Sequence, residues 1–310
     1  MLVRSGVLFV STSMTTRVPQ TIFLTGAQGQ VGFELVRSLQ GLGHVVALDR
    51  NKLDLSDLNE VRRVVREIKP TMIVNAAAYT AVDKAESDVD AAMRLNAEVP
   101  ALLADEARRL NAALVHYSTD YVFDGAKGEA YVEDDSVNPQ NVYGRSKLAG
   151  EQAIAAACCQ HLIFRTSWVY GSRGKNFLLT MLRLGAEREE LSVVADQFGA
   201  PTWSNTIASL SANILAQAIG SDRSDWWRQH SGVYHLTASG ETSWHGFTEA
   251  IFELSDLEKK TRVKAIPAVS YPTPAVRPSN SRMSNDKIAA SFGLRAPDWR
   301  EALRLCMSAN

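Results

Sequence analysis

The stretch TIFLTGAQGQVGFEL, residues 21–35, decides the fold of this 310-residue chain. It opens with a short apolar run rich in β-branched and aromatic side chains, which predicts a buried strand. Gly26, Gly29 and Gly32 follow directly and lead into a segment with helical spacing. Glycines at such a junction permit a tight turn, and the N-terminus of the next helix favours a pyrophosphate. This placement predicts a dinucleotide site that includes Gln30, although three glycines can also be plain turn chemistry.

The same alternation of strand and helix continues along the chain. Further apolar runs read as strands of a parallel sheet: HVVALD (44–49), TMIVNAAA (71–78), ALVHYSTD (113–120), HLIFRTS (161–167) and LSVVAD (191–196). Helical spacing lies between them, at 33–42, 57–68, 83–95 and 99–110. Parallel neighbours need crossover connections, so the pattern predicts an α/β doubly wound, Rossmann-like sheet.

The alternation loosens after about residue 170. Residues 267–283 are rich in Pro and Ser and should not form a regular helix, whereas short helices are expected over 286–292 and 299–307. We predict a dinucleotide-binding core over 20–170. Residues 171–310 then form mostly a smaller substrate-binding lobe, interleaved with the core.

Composition restricts the classes of function and the compartment. The formal net charge is -1 and no basic cluster recurs, which argues against a nucleic-acid partner. No apolar run approaches the roughly 18 residues that suggest a membrane span. Residues 1–19 lack the long apolar centre and small-residue cleavage site of a signal peptide, so we expect a disordered leader. With Cys158 and Cys159 adjacent and Cys306 remote, a reducing, cytoplasmic location is predicted.

An acid stands at the end of the second predicted strand. Asp49 follows Gly29 by 20 residues, where a carboxylate can bind an adenosine ribose hydroxyl. It would repel a 2'-phosphate and favour NADH, but the neighbouring Arg50 could neutralise that phosphate and admit NADPH. The cofactor is therefore NADPH or NADH. Asp54 and Leu55, in the next loop, are weaker candidates for the adenine pocket.

A tyrosine and a lysine share one face of a predicted helix in NVYGRSKLAG, residues 141–150. Pro139 and the polar residues before it indicate the helix start, which places Tyr143 and Lys147 at i and i+4. A tyrosine alone, with a pKa of about 10, is a reluctant acid at neutral pH, and a nearby ammonium would lower that pKa. An exposed pair on an amphipathic helix is the alternative. The order of glycine loop, strand-end hydroxyls and helix favours a catalytic pair.

Those hydroxyls lie in HYSTDYVFDG, residues 116–125. Ser118, Thr119 and Asp120 fall where the fourth strand meets its loop, and ligands of open α/β sheets bind at such strand ends. A hydroxyl there could position a substrate carbonyl against Tyr143. A turn that caps the strand is the alternative.

Longer stretches carry a resemblance to a known family. NAAAYTAVDKAE (75–86), LIFRTSWVYG (162–171), DQFGAPT (196–202) and YPTPAVRPSNSR (271–282) join the motifs above. Together they resemble the extended short-chain dehydrogenase/reductase superfamily and, within it, the dTDP-4-dehydrorhamnose reductases, from about residue 21 to about residue 302. The resemblance implies hydride transfer from NADPH or NADH to C4 of dTDP-4-dehydro-6-deoxy-L-mannose.

The resemblance also implies roles for individual residues. Tyr143 would protonate the C4 alkoxide, Lys147 would lower its pKa and hold the ribose, and Thr119 would orient the carbonyl. Cofactor-contacting positions match Val31, Asp49, Asp54, Leu55, Ala78, Tyr79, Thr80 and Tyr117. Substrate-contacting positions match Thr80, Val82, Asp120, Tyr121 and Trp168. Trp168 alone is more typical of a core; Arg277 could bind the diphosphate, since guanidinium forks suit phosphate oxygens.

The chain departs from the family at one kind of site. Some members form a magnesium-bridged dimer through several glutamates. Glu34 matches one of these, but Asn205 and Arg300 stand where those members have Glu. An amide and a positive charge make a poor magnesium site, and the six histidines show no ligand spacing. We therefore predict no structural metal, and a monomer or a weak homodimer.

Two other functions compete with the reductase. A sugar-nucleotide epimerase or dehydratase of the same superfamily would keep its NAD through a full redox cycle. A non-catalytic regulatory subunit with this fold would lack the tyrosine or the lysine. Because Tyr143 and Lys147 are both present, the sequence favours the reductase acting on a dTDP-sugar.

Overall fold

A computed structural model of the chain describes residues 19–257 and 261–308, so most of the predicted leader lies outside the described residues. The strands are β1 (Thr21–Thr25), β2 (His44–Leu48), β3 (Met72–Asn75), β4 (Ala113–Thr119), β5 (Gln160–Thr166), β6 (Val169–Tyr170), β7 (Glu190–Val194), β8 (Phe198–Gly199), β9 (Thr202–Trp203), β10 (Gly232–His235), β11 (Thr242–Ser243) and β12 (Arg262–Ile266). Six of them form one sheet in the order β2-β1-β3-β4-β5-β10, and every pair in it is parallel. The predicted doubly wound sheet is confirmed.

Helices cover both faces of this sheet. They are α1 (Gln30–Ser38), α2 (Leu58–Ile68), α3 (Val82–Ala85), α4 (Val89–Met93), α5 (Val99–Leu110), α6 (Val142–Ala156), α7 (Phe177–Glu187), α8 (Ser204–Gly220), α9 (Arg223–His230), α10 (Trp244–Glu253), α11 (Asp286–Phe292) and α12 (Trp299–Ser308). Short 3₁₀ turns lie at Gln40–Leu42, Asp120–Val122 and Ala268–Ser270, and a π-helical turn lies at Arg94–Glu98.

Side chains on the two faces of the sheet build two separate cores. Leu24 and Val115 pack with α1 and α8 on one face, while Phe23 and Leu114 pack with α2 and α5 on the other. All seven residues of β4 are buried, as expected for a strand covered on both faces. Because both faces are covered, a ligand cannot reach the middle of the sheet. In open α/β sheets, polar side chains that bind a ligand gather at the carboxyl ends of the strands.

The chain after residue 170 is divided between the sheet and a third cluster. β10 joins the main sheet, and α8 packs against α1. The third cluster lies elsewhere and gathers apolar residues of α7, β7, α10 and α12. The assignment of this cluster to a substrate-binding lobe stays a prediction.

Two predictions of local structure were wrong in part, and one strand of the main sheet was not predicted. The LSVVAD strand exists as β7, but it pairs with β12 outside the main sheet. The edge of the main sheet goes to β10, whose sequence GVYH has no long apolar run. The helix predicted over 83–95 is interrupted at 86–88. It then continues through the π turn into α5, and the π turn accommodates Pro100, which has no backbone N–H to donate.

The helix that carries Tyr143 begins later than Pro139 indicated. Asn141 is its N-cap, and the Asn141 side chain accepts a hydrogen bond from the Gly144 amide at 2.7 Å. An amide cap satisfies an otherwise unpaired backbone donor, which proline at this boundary could not do. Within the described ranges, no helix has the length and apolar character needed to cross a membrane.

Candidate active site

A cleft of about 1190 Å³ opens at the carboxyl ends of β1 to β5. Most residues singled out from the sequence line it: Gly26, Gly29, Gln30, Val31, Asp49, Arg50, Asp54, Leu55, Ala78, Thr80, Val82, Tyr117, Thr119, Asp120, Tyr121, Tyr143, Lys147, Trp168 and Arg277. Residues as far apart in sequence as Gly26 and Arg277 therefore share one opening, because parallel strands end at the same edge.

The glycine loop forms the start of the cleft. Gly26 has a φ of 71°, and a Cβ atom there would lie 2.7 Å from the Ala77 backbone nitrogen. Gly29 is the N-cap of α1 and makes no side-chain cap, so the amides of the first helical turn are directed toward the opening. Bare backbone and a helix N-terminus make a cradle for an anionic group.

Two predicted cofactor residues, Gly32 and Tyr79, do not line the cleft. Gly32 is buried in α1, and a Cβ atom there would lie 2.1 Å from the Gly26 carbonyl oxygen, so its role is close packing of helix on loop. Tyr79 is turned away from the cleft, and its hydroxyl donates to the Asp88 carboxylate at 3.0 Å. The direction of the backbone decides whether each residue faces the cleft, and the spacing of residues in the sequence does not reveal that direction.

The acid after β2 is held in place at the far end of the cleft. Asp49 accepts hydrogen bonds from the Gln28 side-chain amide at 2.7 Å and from the Asn51 backbone amide at 2.9 Å. Asp54 accepts from the Ser56 backbone and hydroxyl, and these bonds lower the pKa of its carboxyl. Arg50 lies beside both acids on the same wall. This wall can hold hydroxyls through carboxylates and phosphate through a guanidinium.

Tyr143 stands at the inner part of the cleft. Removal from solvent raises the pKa of its hydroxyl to about 12, a hydrogen bond with Thr119 lowers it, and the nearby Asp120 charge raises it. The ring of Tyr121 packs edge-on against it at 5.5 Å. The expected lowering of this pKa does not occur in the arrangement seen, because desolvation exceeds the favourable contacts.

Lys147 lies one turn further along α6, fully buried. Its ammonium nitrogen donates to the Tyr117 carbonyl at 2.6 Å and lies 3.0 Å from Nε2 of His116. Burial lowers the pKa of Lys147 to about 7, against a smaller opposite effect of Glu151. The amine can therefore gain or lose a proton near neutral pH.

Asp120 connects Thr119 to the C-terminal part of the chain. Its carboxylate accepts hydrogen bonds from the Thr119 hydroxyl at 3.0 Å and from the Ser281 hydroxyl at 2.5 Å. Burial raises the pKa of Asp120 to about 6, and these two bonds oppose that rise. A hydrogen-bonded series thus leads from Ser281 through Asp120 and Thr119 to Tyr143.

Arg277 and Trp168 approach the cleft from the second half of the chain. Arg277 pairs with Asp83 at 2.9 Å, and its Nε is buried without a partner among the described residues. Trp168 has a left-handed φ of 47° and stacks on Trp244, with ring centroids 3.5 Å apart. Its indole also fills the space beside Gly199, where a Cβ atom would lie 2.7 Å away. Both side chains are held in place for contact with a ligand.

Several lining residues were missed from the sequence. They are Gln28, Ser56, Asp83, Thr166, Lys175, Asn176, Phe177 and Trp244, whereas Ser118 was among the strand-end residues predicted from the sequence. The hydroxyls of Ser118 and Thr166 are buried, line the cleft and have no partner within the described chain. Asn176 could have been found as the N-cap of α7, but its bond to the Gln30 side chain at 2.9 Å could not.

The residues considered for magnesium have other partners. Glu34 accepts a hydrogen bond from the Asn205 side-chain amide at 3.0 Å, and Arg300 pairs with Glu253. Over residues 19–257 and 261–308, no group of three or more His, Cys, Asp or Glu side chains is placed to hold a metal ion.

Comparison with known proteins agrees with this geometry. The family model of the RmlD substrate binding domain matches residues 20–310. A dTDP-4-dehydrorhamnose reductase of Burkholderia thailandensis is 50% identical over 292 residues, which are 92% of this chain and 97% of the relative. One of Escherichia coli is 44% identical over 293 residues, covering 91% and 95% of the two chains.

Solved structures agree in fold. The dTDP-4-dehydrorhamnose reductase of Bacillus anthracis, solved in complex with NADP, has a TM-score of 0.86 and 35% identity over 94% of this chain and 100% of that one. A Thermus thermophilus UDP-glucose 4-epimerase, solved with NAD, has a TM-score of 0.77 over 93% of this chain and 98% of that one. At 20% identity it shows the fold alone. Because the family model spans nearly the whole described chain and the relatives are matched almost end to end, this chain belongs to the RmlD family of extended short-chain dehydrogenases/reductases.

Proposed function

We propose that this protein is an oxidoreductase that reduces the C4 keto group of dTDP-4-dehydro-6-deoxy-L-mannose to give dTDP-L-rhamnose, the last step of dTDP-L-rhamnose biosynthesis, with NADPH or NADH. One observation carries the proposal: a single cleft joins the glycine cradle to the Tyr143–Thr119 hydrogen bond and to Lys147. The names of the relatives support the substrate, and the NADP in the Bacillus anthracis structure supports the cofactor class.

The residues present fit a dinucleotide. The Gly26 backbone leaves no room for a side chain, and the first turn of α1 offers amides that suit a pyrophosphate. Asp49 and Arg50 would hold the adenosine ribose, and the unpartnered Ser118 and Thr166 hydroxyls face the inner cleft. We propose that Arg50 allows NADPH to bind by neutralising its 2'-phosphate. Asp49 allows NADH to bind by accepting a hydrogen bond from its adenosine ribose hydroxyl.

Reduction of the keto group needs a proton donor, because hydride transfer to C4 leaves a negative charge on O4. Reduced nicotinamide supplies a hydride to C4 when bound. The electron pair of the C4–O4 double bond then moves to O4, and Tyr143 donates its phenolic proton there. A high pKa keeps that proton on Tyr143 until an alkoxide, a stronger base than a phenolate, forms beside it. Thr119 holds the carbonyl, and Lys147 stabilises the phenolate and holds the ribose.

The remaining predicted residues face the sugar nucleotide. We propose that Asp120, Tyr121 and Trp168 contact the deoxysugar, as Thr80 and Val82 do from the opposite wall. Arg277 would bind the diphosphate, for which its unpartnered Nε is available. Its ion pair with Asp83 would then rearrange, since one guanidinium cannot satisfy both anions with the same nitrogen atoms.

Oxidation of NADPH and of NADH with dTDP-4-dehydro-L-rhamnose generated in situ tests the proposal. Tyr143→Phe should reduce turnover by about 10²–10⁴-fold, because it removes the acid, and should leave dinucleotide binding unchanged. Tyr271→Phe is the matched control, since Tyr271 is exposed outside the cleft. Wild-type protein that binds dinucleotide tightly but gives no turnover would refute the reductase and favour the epimerase or the regulatory subunit.

We propose that the enzyme is cytoplasmic and acts as a monomer or a weak homodimer without bridging magnesium, and without a nucleic-acid or membrane partner. The Asn205 amide on Glu34 and the Arg300–Glu253 pair support the absence of a magnesium bridge. Sedimentation with magnesium and with EDTA should give the same mass. A dimer that dissociates only in EDTA would contradict this assignment.

A further inference from the structure

A row of buried polar side chains crosses three neighbouring strands and ends at Lys147. Thr25 on β1 is paired in register with Asn75 on β3, and Asn75 with His116 on β4. The Thr25 hydroxyl donates to Asn75 Oδ1 at 2.7 Å, and Asn75 Nδ2 lies 3.0 Å from His116 Nδ1. On its other side, His116 Nε2 lies 3.0 Å from the Lys147 nitrogen.

These groups are sealed from water. Asn75, His116 and Lys147 are exposed by 1%, 0% and 1% respectively. Buried donors and acceptors must therefore find their partners in one another, because an unmade hydrogen bond in the interior is costly. The pattern of hydrogens along the row is thus determined by its members.

Counting hydrogens gives two consistent arrangements. A neutral imidazole has one N–H. If Asn75 presents its NH₂ to Nδ1 of His116, the proton is on Nε2 and Lys147 must accept it as a neutral amine. If Lys147 is an ammonium, Nε2 must be the acceptor and Nδ1 carries the proton. The Asn75 amide must then turn over, so that its oxygen accepts from Nδ1 and its NH₂ donates to the Thr25 hydroxyl oxygen. An imidazolium beside an ammonium would place two like charges in a buried site.

We propose that His116, oriented by Asn75, is a positioning residue that couples the charge of Lys147 to the tautomer of its imidazole. The inference rests on the proposed function and deepens it. The row offers Lys147 an acceptor at Nε2 of His116 when the amine is charged and a donor at the same nitrogen when it is neutral. Lys147 can thus be an ammonium while Tyr143 is a phenolate, and a neutral amine once its proton has passed to Tyr143.

The other ionisable groups near Lys147 do not fix its charge. Glu151 follows one turn later on α6, but Arg165 of β5 binds both of its oxygens, the closer at 2.7 Å. Tyr143 lies one turn earlier and is hydrogen-bonded to Thr119. Burial holds the pKa of His116 well below its usual range, so that imidazole stays neutral. Of the described groups that act on Lys147, His116 alone contacts its nitrogen through a side chain.

Kinetics of two variants test the role. His116→Phe keeps the bulk but cannot hydrogen-bond, and should reduce kcat by about 100-fold while shifting the pH profile of kcat. His116→Gln should recover part of the loss, since its amide can donate or accept. His161→Gln is the control, because His161 also lies in the sheet but, among the described residues, its side chain hydrogen-bonds only the Cys159 carbonyl. An unchanged kcat and pH profile in His116→Phe, with only a lower melting temperature, would overturn the proposal.

Nitrogen-15 NMR of histidine in the wild-type protein gives a second test that needs no substrate. The His116 signals should change from the Nε2–H to the Nδ1–H tautomer as the pH is lowered from about 9 to about 6, as Lys147 gains its proton. The same change should be absent in Lys147→Met. One fixed tautomer throughout would refute the coupling, whereas failure of the reductase itself would appear only as missing turnover.

Discussion

Gly32 allows a quantitative test of how the glycine loop is built. It lies in the first turn of α1, where a Cβ atom would be 2.1 Å from the Gly26 carbonyl oxygen and 2.7 Å from its carbon. Both atoms belong to the backbone, so no side chain can rotate away. Gly32→Ala must therefore either strain the loop in place or move it, although Gly32 itself does not line the cleft.

The size of the effect follows from the overlap. Non-bonded atoms normally stay about 3.5 Å apart, so the added methyl group is more than about 1 Å too close. Overpacking of this kind costs about 1–3 kcal/mol. If the loop keeps its geometry, this cost appears as a lower free energy of unfolding. If the loop moves, it appears as weaker binding of the dinucleotide. A central value of about 2 kcal/mol corresponds to roughly a 30-fold weaker Kd.

Urea unfolding measures the loss in unfolding free energy, and dinucleotide titration measures the loss in binding free energy. In Gly32→Ala the two losses should sum to about 2 kcal/mol. Gly29→Ala should cost less, because its Cβ atom would meet only the Gly26 oxygen, at 3.2 Å. Gly41→Ala is the control, with no atom within 4 Å. If Gly32→Ala matches wild type in both measurements, the close approach of helix and loop is not what shapes this site.

Three further predictions follow from two buried ionisable side chains and from one aromatic stack. The pKa of Lys147, at about 7, lies below the usual 10.5, so the unfolded chain binds the extra proton between these values. The unfolding free energy should then rise by up to about 1.4 kcal/mol per pH unit above pH 7, and urea titrations of Lys147→Met should lose this slope. Burial lowers the pKa of His235 from 6.5 to about 3, so stability should fall as the pH drops below 6.5. Melting temperatures of His235→Leu should fall less; an equal fall would exclude His235 as the cause. Trp244→Ala removes the aromatic stack under Trp168, and steady-state kinetics should show KM for the sugar nucleotide rising up to about 10-fold, against an unchanged KM if the stack is only structural.

Local signals account for what was predicted well. The β1 strand and the glycine loop each have a pattern confined to a few neighbouring residues, and the structure places them as expected. The helix predicted over 33–42 starts earlier and ends earlier, as α1 (Gln30–Ser38), and a 3₁₀ turn at Gln40–Leu42 follows it. Val99–Leu110 and Asp286–Phe292 form helices with the predicted bounds. Predicted helix bounds were wrong where a feature without a local sequence signal lies, such as the π turn that joins α4 to α5.

The sequence by itself determined the parallel sheet, the glycine loop at the first strand–helix junction and the placement of Tyr143 and Lys147 one turn apart on one helix, because each rests on residue types at short, regular spacings. Only the tertiary structure decided what surrounds them. The entry of β10 into the sheet, the stack of Trp244 on Trp168 and the burial of Lys147 against His116 join residues far apart along the chain. Desolvation depends on this assembled surrounding, so it raised the pKa of Tyr143 where spacing alone predicted that it would be lowered.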